Sequence, residues 1–401
     1  MKVVVVGNGL AGTLAAKTLR ELDPDVEIEI IGEETYPYYP RPNLIEYLAG
    51  RLPYEKLFGF PEGWAEKQRI VLRLGEKAAR IRPAERTVET ASGAARPFDA
   101  LLLASGARAA VPPIPGMDKK GVFVLRTLDD VQALIERLSD HKRVAVLGGG
   151  LLGLEIARAV REREAEVEVV ELFDRLLPRQ LDPAAAAVLK SQFEARGIAV
   201  RLKAVAKEVL GEAEVRGLRF EAGDDLEADT LIVAAGIKPE VGLASEAGLR
   251  VGKGVIVDDR MRSSAPGIFA AGDAAEHRGR VYGIIPAAFE QARAAAYNIL
   301  SQDKPYGGTL ASNTLKVAGL YLTSVGEIDA DEPECEAVVR SEPEAGLYKK
   351  IVLCDGRVVG AIWMGTKKGA PEISRLAAAR RDVRPLREEL LQDDYDFSEI
   401  L

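Results

Sequence analysis

Two stretches of this 401-residue chain carry the same pattern 141 residues apart. In the first, Lys2-Val3-Val4-Val5-Val6 runs into Gly7-Asn8-Gly9-Leu10-Ala11-Gly12; in the second, Arg143-Val144-Ala145-Val146-Leu147 runs into Gly148-Gly149-Gly150-Leu151-Leu152-Gly153. An apolar run followed by G-x-G-x-x-G reads as a buried strand, a tight turn and a helix start. The first glycine turns the chain, the second lets a pyrophosphate approach the backbone, and the third lets the helix pack close to the strand. Phosphates then rest on unpaired N–H groups at the positive end of the helix dipole. Both repeats continue alike, with residues 13–19 and 154–163 as helices and residues 26–31 and 167–170 as second strands. Each second strand ends at an acid, Glu33 lying 26 residues beyond Gly7 and Glu171 lying 23 beyond Gly148. A carboxylate there accepts hydrogen bonds from a ribose and repels a 2′-phosphate, so Glu171 favours NADH over NADPH. Arg175 and Arg179 nearby pull the other way.

A chain of this length holds two or three domains. Apolar content of 47% and charged content of 29% are those of a soluble globular protein. A net charge of −8 argues against nucleic acid or an anionic membrane as the main partner. No run approaches the ~18 apolar residues of a membrane span. Met1-Lys2 leads directly into a core strand without room for a signal peptide, so a cytoplasmic location is expected. Asparagine, with four residues in 401, is scarce in the manner of a heat-adapted chain. Cys335 and Cys354 are the only cysteines, late and widely spaced, which rules out a C-x-x-C pair and a zinc or iron–sulfur ligand set. They read as two unpaired structural thiols. His141 lies in a charged linker and His277 in a polar turn after a strand, and two such residues make no metal or acid–base site.

Residues 35–44, Thr35-Tyr36-Pro37-Tyr38-Tyr39-Pro40-Arg41-Pro42-Asn43-Leu44, hold three prolines and three tyrosines, a composition that breaks helix and strand alike. The segment follows the first acid and can run alongside a bound dinucleotide, Arg41 offering a cation to phosphate or to an electron-rich ring; the alternative is a rigid surface loop. Residues 70–74 and 87–90 read as strands. Residues 101–106 and 231–236 are apolar strands ending in small residues, where backbone meets ligand closely, and the proline-rich residues 111–116 mark a domain boundary. The strand in residues 267–273 ends in Gly272-Asp273 and aims a carboxylate beyond the sheet's carboxyl edge, where α/β folds bind ligands. A cap for the following helix is the other role open to Asp273. Residues 311–401 lack a phosphate loop and alternate strands with turns, at 314–317, 348–353 and 358–363 around the turn Asp355-Gly356. Within 345–370, Lys349, Lys350, Arg357, Lys367 and Lys368 against Asp355 leave a local charge of +4. That is a solvated face or a docking surface for an acidic partner.

The order Val-Gly-Asn-Gly-Leu-Ala-Gly, Leu-Ala-Ser-Gly-Ala, Gly-Gly-Gly-Leu-Leu-Gly-Leu-Glu, Ala-Ala-Gly-Ile-Lys-Pro and Ile-Phe-Ala-Ala-Gly-Asp resembles the FAD-dependent pyridine nucleotide–disulfide oxidoreductase superfamily over essentially the whole chain. Within it, residues 38–44 and 313–319 are similar to NADH:rubredoxin oxidoreductases and to the flavin module of assimilatory nitrite reductase large subunits. The resemblance implies an α/β fold with two Rossmann-like domains and a C-terminal α+β interface domain. The FAD domain, residues 1–110 and 240–310, is interrupted by the NAD(H) domain, residues 111–239, and residues 311–401 form the third. It also implies that Gly7, Gly9, Leu10, Ala11 and Gly12 hold FAD, with Glu33 on its adenosine ribose, Gly272 and Asp273 at its ribityl chain, and Ala104, Ser105 and Gly106 along its length. The helix from Pro286 brings its start to the flavin ring. Gly148, Gly150, Leu151, Leu152 and Gly153, with Glu171 and Gly236, hold NADH, and Glu155 matches the family's acid near the nicotinamide. Arg41 and Lys316 are candidates for stabilising negative charge on reduced flavin.

Departures from the family define the chemistry the resemblance implies. Residues 34–60 contain no cysteine and no C-terminal catalytic histidine is present, so a thiol relay through a redox-active disulfide is not expected. Ile45-Glu46 stands where similar ferredoxin reductases carry a lysine. The chain holds no rubredoxin, [2Fe–2S] or sirohaem module. The expected reaction is hydride transfer from NADH to flavin and electron transfer to a separate rubredoxin-like or ferredoxin-like acceptor, docked on the 345–370 region, by a monomer or homodimer. An NADH oxidase using dioxygen and a flavin-bearing subunit of a larger redox complex are the alternatives.

Overall fold

The computed structural model describes residues 1–317 and 320–400, which fall into two compact units. The first comprises Met1–Leu44, Leu52–Arg108 and Ile237–Thr309; the second comprises Ile45–Arg51, Ala109–Gly236 and Leu310–Leu401.

The first unit is built on a parallel sheet with strand order Ile268–Ala270, Ala100–Leu103, Lys2–Val6, Glu27–Gly32 and Ile70–Leu74. Lys2–Val6 is central, and Val3 to Val6 are all buried because helices and neighbouring strands cover both faces of such a sheet. Its helix Leu10–Leu22 packs on the helix Ile285–Ile299. Both helices bury runs of alanine, Ala11, Ala15 and Ala16 in one and Ala288, Ala292 and Ala295 in the other. Side chains this small let helix axes come close.

The second unit repeats the arrangement. Its parallel strands run in the order Ile198–Arg201, Glu166–Val170, Arg143–Leu147, Thr230–Val233 and Val122–Val124, with Arg143–Leu147 central and leading into the helix Leu151–Arg161. Residues 310–401 of the same unit add an antiparallel sheet in the order Ser312–Val317, Leu320–Gly326, Arg357–Met364, Leu347–Cys354 and Cys335–Glu342. Asp355 and Gly356 connect two of these strands with φ of 52° and 75°, the left-handed pair that a two-residue hairpin turn requires. The helix Ala370–Ala379 contributes Ile373 and Leu376 to a core shared with Ile351, Val358 and Trp363.

Several sequence expectations are corrected. Residues 35–44 are not wholly irregular, because Pro42 opens the helix Pro42–Leu48 at its first turn, where a missing N–H costs nothing. His277 lies in the strand Ala275–His277, fully buried, with Nε2 2.9 Å from Asp259 Oδ1, and not in a polar turn. Asp273 caps no helix, since it sits in the short turn Gly272–Ala274 and the next helix starts at Ile285. The cysteines are not free: Cys335 and Cys354 face each other across adjacent antiparallel strands and form a disulfide. Cross-strand register, which a spacing of 19 residues does not reveal, brings them together.

The 345–370 region is likewise not a uniform basic face. Lys349 is 1% exposed, lies 4.6 Å from the Trp363 ring centre and donates to Asp393 at 2.6 Å and to the Leu391 carbonyl at 2.9 Å. Lys350 is 8% exposed and donates to Asp182 at 2.9 Å. Buried ammonium groups need such partners, and two of the five cations are spent on them.

Candidate dinucleotide sites

The two fingerprints form matching backbone cradles. A Cβ on Gly7 would collide with the Ala104 carbonyl, and one on Gly148 with the Ala234 carbonyl. A Cβ on Gly12 would strike the Gly7 carbonyl, and one on Gly153 the Gly148 carbonyl. Gly9 and Gly150, by contrast, face open space, with no atom within 4 Å of an added Cβ. Each is also the residue before its helix, capped by no side chain, so the first helical N–H groups of Leu10-Ala11-Gly12 and Leu151-Leu152-Gly153 are left for a ligand. Glycine is thus required at the first and third positions by packing and at the second by an approach route. Both cradles fit a dinucleotide pyrophosphate.

The ends of the second strands differ. The Gly7 N–H donates to the Ile31 carbonyl and the Gly148 N–H to the Val170 carbonyl, each at 2.8 Å. The residue after that carbonyl is Gly32 in the first unit and Glu171 in the second. Glu171 is 6% exposed and accepts hydrogen bonds from the Gly149 N–H at 2.6 Å and the Phe173 N–H at 2.9 Å. Glu33 therefore sits one residue further out, 68% exposed, with Lys77 at 2.9 Å. Asn8 takes the space in the first unit that Glu171 takes in the second: its Cβ lies 3.0 Å from where a Gly32 Cβ would be. The Asn8 amide donates to the Tyr36 carbonyl at 3.2 Å. Asn8 was missed in the sequence, although a polar residue between Gly7 and Gly9 was its signal.

Arg175 is held by Asp174 at 3.0 Å and by the Leu181 carbonyl at 3.2 Å, so its cation is already engaged. Gly236, at φ 108°, lies after the strand Thr230–Val233, as Gly106, at φ 72°, does after Ala100–Leu103. Ser105 Oγ donates to the Glu240 carbonyl at 2.9 Å. The Gly272 N–H donates to Gln291 Oε1 at 2.8 Å, tying the Gly272–Ala274 turn to the helix that carries Pro286 in its first turn. Asp273 in that turn is half-buried.

Arg41 does not stand alone: its Nη2 is 2.6 Å from Glu34 Oε1, its Nη1 donates to the Tyr39 hydroxyl at 2.7 Å, and that hydroxyl donates to Glu34. Glu34 and Tyr39 fix the guanidinium and were not singled out from sequence. Glu155 lies on the helix Leu151–Arg161, and burial pushes its carboxyl above the ordinary range, opposed by Arg158 and aided by Glu46. The side chain of Lys316 lies outside the described residues. Among the described residues no group of three or more His, Cys, Asp or Glu could hold a metal ion, and no helix is long and apolar enough to cross a membrane.

Two dinucleotide-type cradles on two parallel sheets define the class of α/β proteins with a doubled dinucleotide-binding fold. The chain belongs to the pyridine nucleotide-disulphide oxidoreductase family, whose model matches residues 1–296, and residues 312–380 match the rubredoxin NAD+ reductase C-terminal domain. It is 35% identical to a nitrite reductase [NAD(P)H] of Bacillus subtilis, over 95% of this chain and 48% of that protein. It is 33% identical to the ferredoxin–NAD(+) reductase component of the biphenyl dioxygenase system of Paraburkholderia xenovorans, over 98% of this chain and 96% of that one. A ferredoxin reductase from Rhodopseudomonas palustris has a similar structure, with a TM-score of 0.90, 28% identity and 99% of both chains covered. The chain spans about half the length of the nitrite reductases it matches.

Proposed function

We propose that this chain is an NADH-dependent reductase that passes electrons from a bound FAD to a separate small iron–sulfur protein of the ferredoxin or rubredoxin type, without a protein disulfide in the relay. The observation that carries this reading is the doubled cradle in which only the second carries a buried acid. In this reading the first cradle holds FAD and the second NADH, and residues 1–110 with 240–310, 111–239 and 311–401 are the FAD, NAD(H) and C-terminal domains. FAD, when bound, supplies the chemistry by taking a hydride and releasing electrons singly.

The chain's residues bind and orient. Backbone N–H groups at Leu10-Ala11-Gly12 and Leu151-Leu152-Gly153 hold the two pyrophosphates. Glu33 and Asn8 lie at the adenosine end of the first cradle, Ala104 to Gly106 and Gly272-Asp273 along it, and Pro286 at the flavin end. Glu171 accepts from the NADH ribose with its remaining lone pairs and repels a 2′-phosphate, with Gly236 beside the ligand. Glu155 positions the nicotinamide, and Arg41, steadied by Glu34 and Tyr39, and Lys316 offset negative charge that builds on the flavin. The setting is cytoplasmic.

The test is an anaerobic titration of flavin-loaded protein with NADH, and separately NADPH, followed in the visible spectrum, then mixing with ferredoxin, rubredoxin or air. Bleaching by NADH at far lower concentration than by NADPH, and fast reoxidation by one iron–sulfur protein, is expected. Absence of bleaching would overturn the reading, and reoxidation by air alone would move it to an NADH oxidase. A second reading, the flavin module of a larger assembly, is favoured by the half-length match to nitrite reductases. It requires bleaching by NADH with slow transfer to every isolated acceptor.

A further inference from the structure

A closed ring of four charges joins residues 45–51 to the helix Leu151–Arg161, all within one compact unit. Arg158 Nη2 donates to Glu46 Oε1 at 3.2 Å, and its Nη1 donates to Glu162 Oε1 at 3.0 Å. Arg51 closes the ring, placing Nε and Nη2 on the Glu46 carboxylate, each at 2.8 Å, and Nη1 on Glu162. Two guanidiniums balance two carboxylates. Arg158 is 3% exposed, and both of its Nη groups serve the ring while its buried Nε has no hydrogen-bond partner. Glu155 stands one turn before it on the same helix face, the spacing at which an acid and a base ordinarily pair. Here that pairing is not made.

We propose that Glu46 is a positioning residue that acts through Arg158: by engaging the guanidinium it denies Glu155 an ion-pair partner and holds Glu155 as a neutral acid over a wider span of pH. The proposal rests on the reading that Glu155 meets the nicotinamide. Its consequence is for product release. Oxidised nicotinamide carries a positive charge, which a carboxylate beside it retains and a neutral carboxyl does not.

The electrostatics agree in direction. Burial pushes the Glu155 carboxyl up and the negative charge of Glu46 adds to the rise, while Arg158 opposes it. The Arg51 hydrogen bond holds the Glu46 carboxyl down, so Glu46 stays ionised where Glu155 does not. Other strands packed against this helix carry Arg143, Glu166, Glu168 and Arg201. Arg143 pairs with Glu227 and Arg201 with Glu168, and none of the four contributes to the Glu155 shift. The packed strand Ser312–Val317 carries Lys316, the one titratable residue on it, whose side chain is outside the described residues.

The experiment uses the oxidised, flavin-loaded protein and two readouts across pH: the dissociation constant for NAD+, and the infrared carbonyl band of a protonated carboxyl assigned by its loss in Glu155→Gln. In the parent protein the band should persist above the ordinary carboxylate range, and NAD+ binding should tighten as it fades. Glu46→Gln should move both transitions down by roughly one pH unit. Glu162→Gln should move them the same way, which guards against a folding defect peculiar to one variant. If Glu155→Gln abolishes the band and the pH dependence but Glu46→Gln and Glu162→Gln leave both at their parental pH, the ring proposal is overturned and the nicotinamide role of Glu155 stands. If Glu155→Gln leaves NAD+ binding unchanged at every pH, that role itself is wrong and the proposal goes with it.

Discussion

Glu171 and Glu33 look interchangeable as written and are not interchangeable as folded. The first cradle's helix has 13 residues and the second's 11, so the counting frame slips by two, and the carboxylate that spacing assigned to the first strand end lands one residue beyond it. Nothing in the residues near Glu33 reports a helix length set by packing elsewhere. Glu171, held by two N–H groups, lies at the strand end where its spacing puts it. Replacing it with Ala removes charge-assisted hydrogen bonds worth about 1.5–3 kcal/mol, so kcat/KM for NADH should fall roughly 10- to 100-fold while that for NADPH changes less. Steady-state kinetics with both nucleotides would check this. Asp182 offers a pH prediction. Burial pushes its carboxyl up, but the Ala185 N–H, the Tyr348 hydroxyl and Lys350 outweigh burial and leave it below the ordinary range. A depressed carboxyl stabilises the fold above its unfolded pKa of about 4 and loses that contribution as pH falls through the folded value. Asp182→Asn should therefore lower Tm at neutral pH and flatten its decline under acid, which a set of melting curves would show.

Elements were legible where local rules and packing agree. The glycine cradles, both central strands and the Asp355-Gly356 hairpin follow from short-range pattern, and the structure has them where the pattern puts them. The helix Pro42–Leu48 was not legible, because proline signals a break and an opening equally well. The disulfide was not, because it depends on which residues lie opposite across two strands, which the spacing of the two cysteines does not report. Gly153→Ala should raise KM for NADH more than about tenfold with flavin retained, since the methyl must displace the Gly148 carbonyl that shapes only the second cradle. Gly12→Ala should instead yield protein poor in flavin, measured as absorbance per chain. Cys335→Ser frees an edge strand and should cost about 2–4 kcal/mol in the C-terminal sheet, seen as earlier unfolding that matches the parent treated with reductant.

For the molecule as a whole, net charge and composition describe totals, and they misplaced individual charges. Lys349 and Lys350 counted toward a basic surface and are buried in ion pairs, because a strand covered on both sides must neutralise any cation it carries. Lys349→Met should lower stability by about 2 kcal/mol, less than for a fully buried pair since Asp393 is exposed, and leave KM for an acidic acceptor unchanged. Lys367 and Lys368 remain exposed. The double Glu substitution there should raise that KM several-fold at low salt, with the difference fading at high salt if docking uses this face.

The chain passes between its two units five times, returning to the first with residues 52–108 and, after the long excursion of residues 109–236, with residues 237–309. This sets an order of assembly during synthesis. The sheet of the first unit lacks its strand Ile268–Ala270 until more than half the polypeptide has been made, whereas Val122–Val124 through Thr230–Val233 supply every strand of the second parallel sheet in one uninterrupted stretch. On the ribosome the inserted module can close while its host is still open. Its early folding then brings the two halves of the host into range of each other.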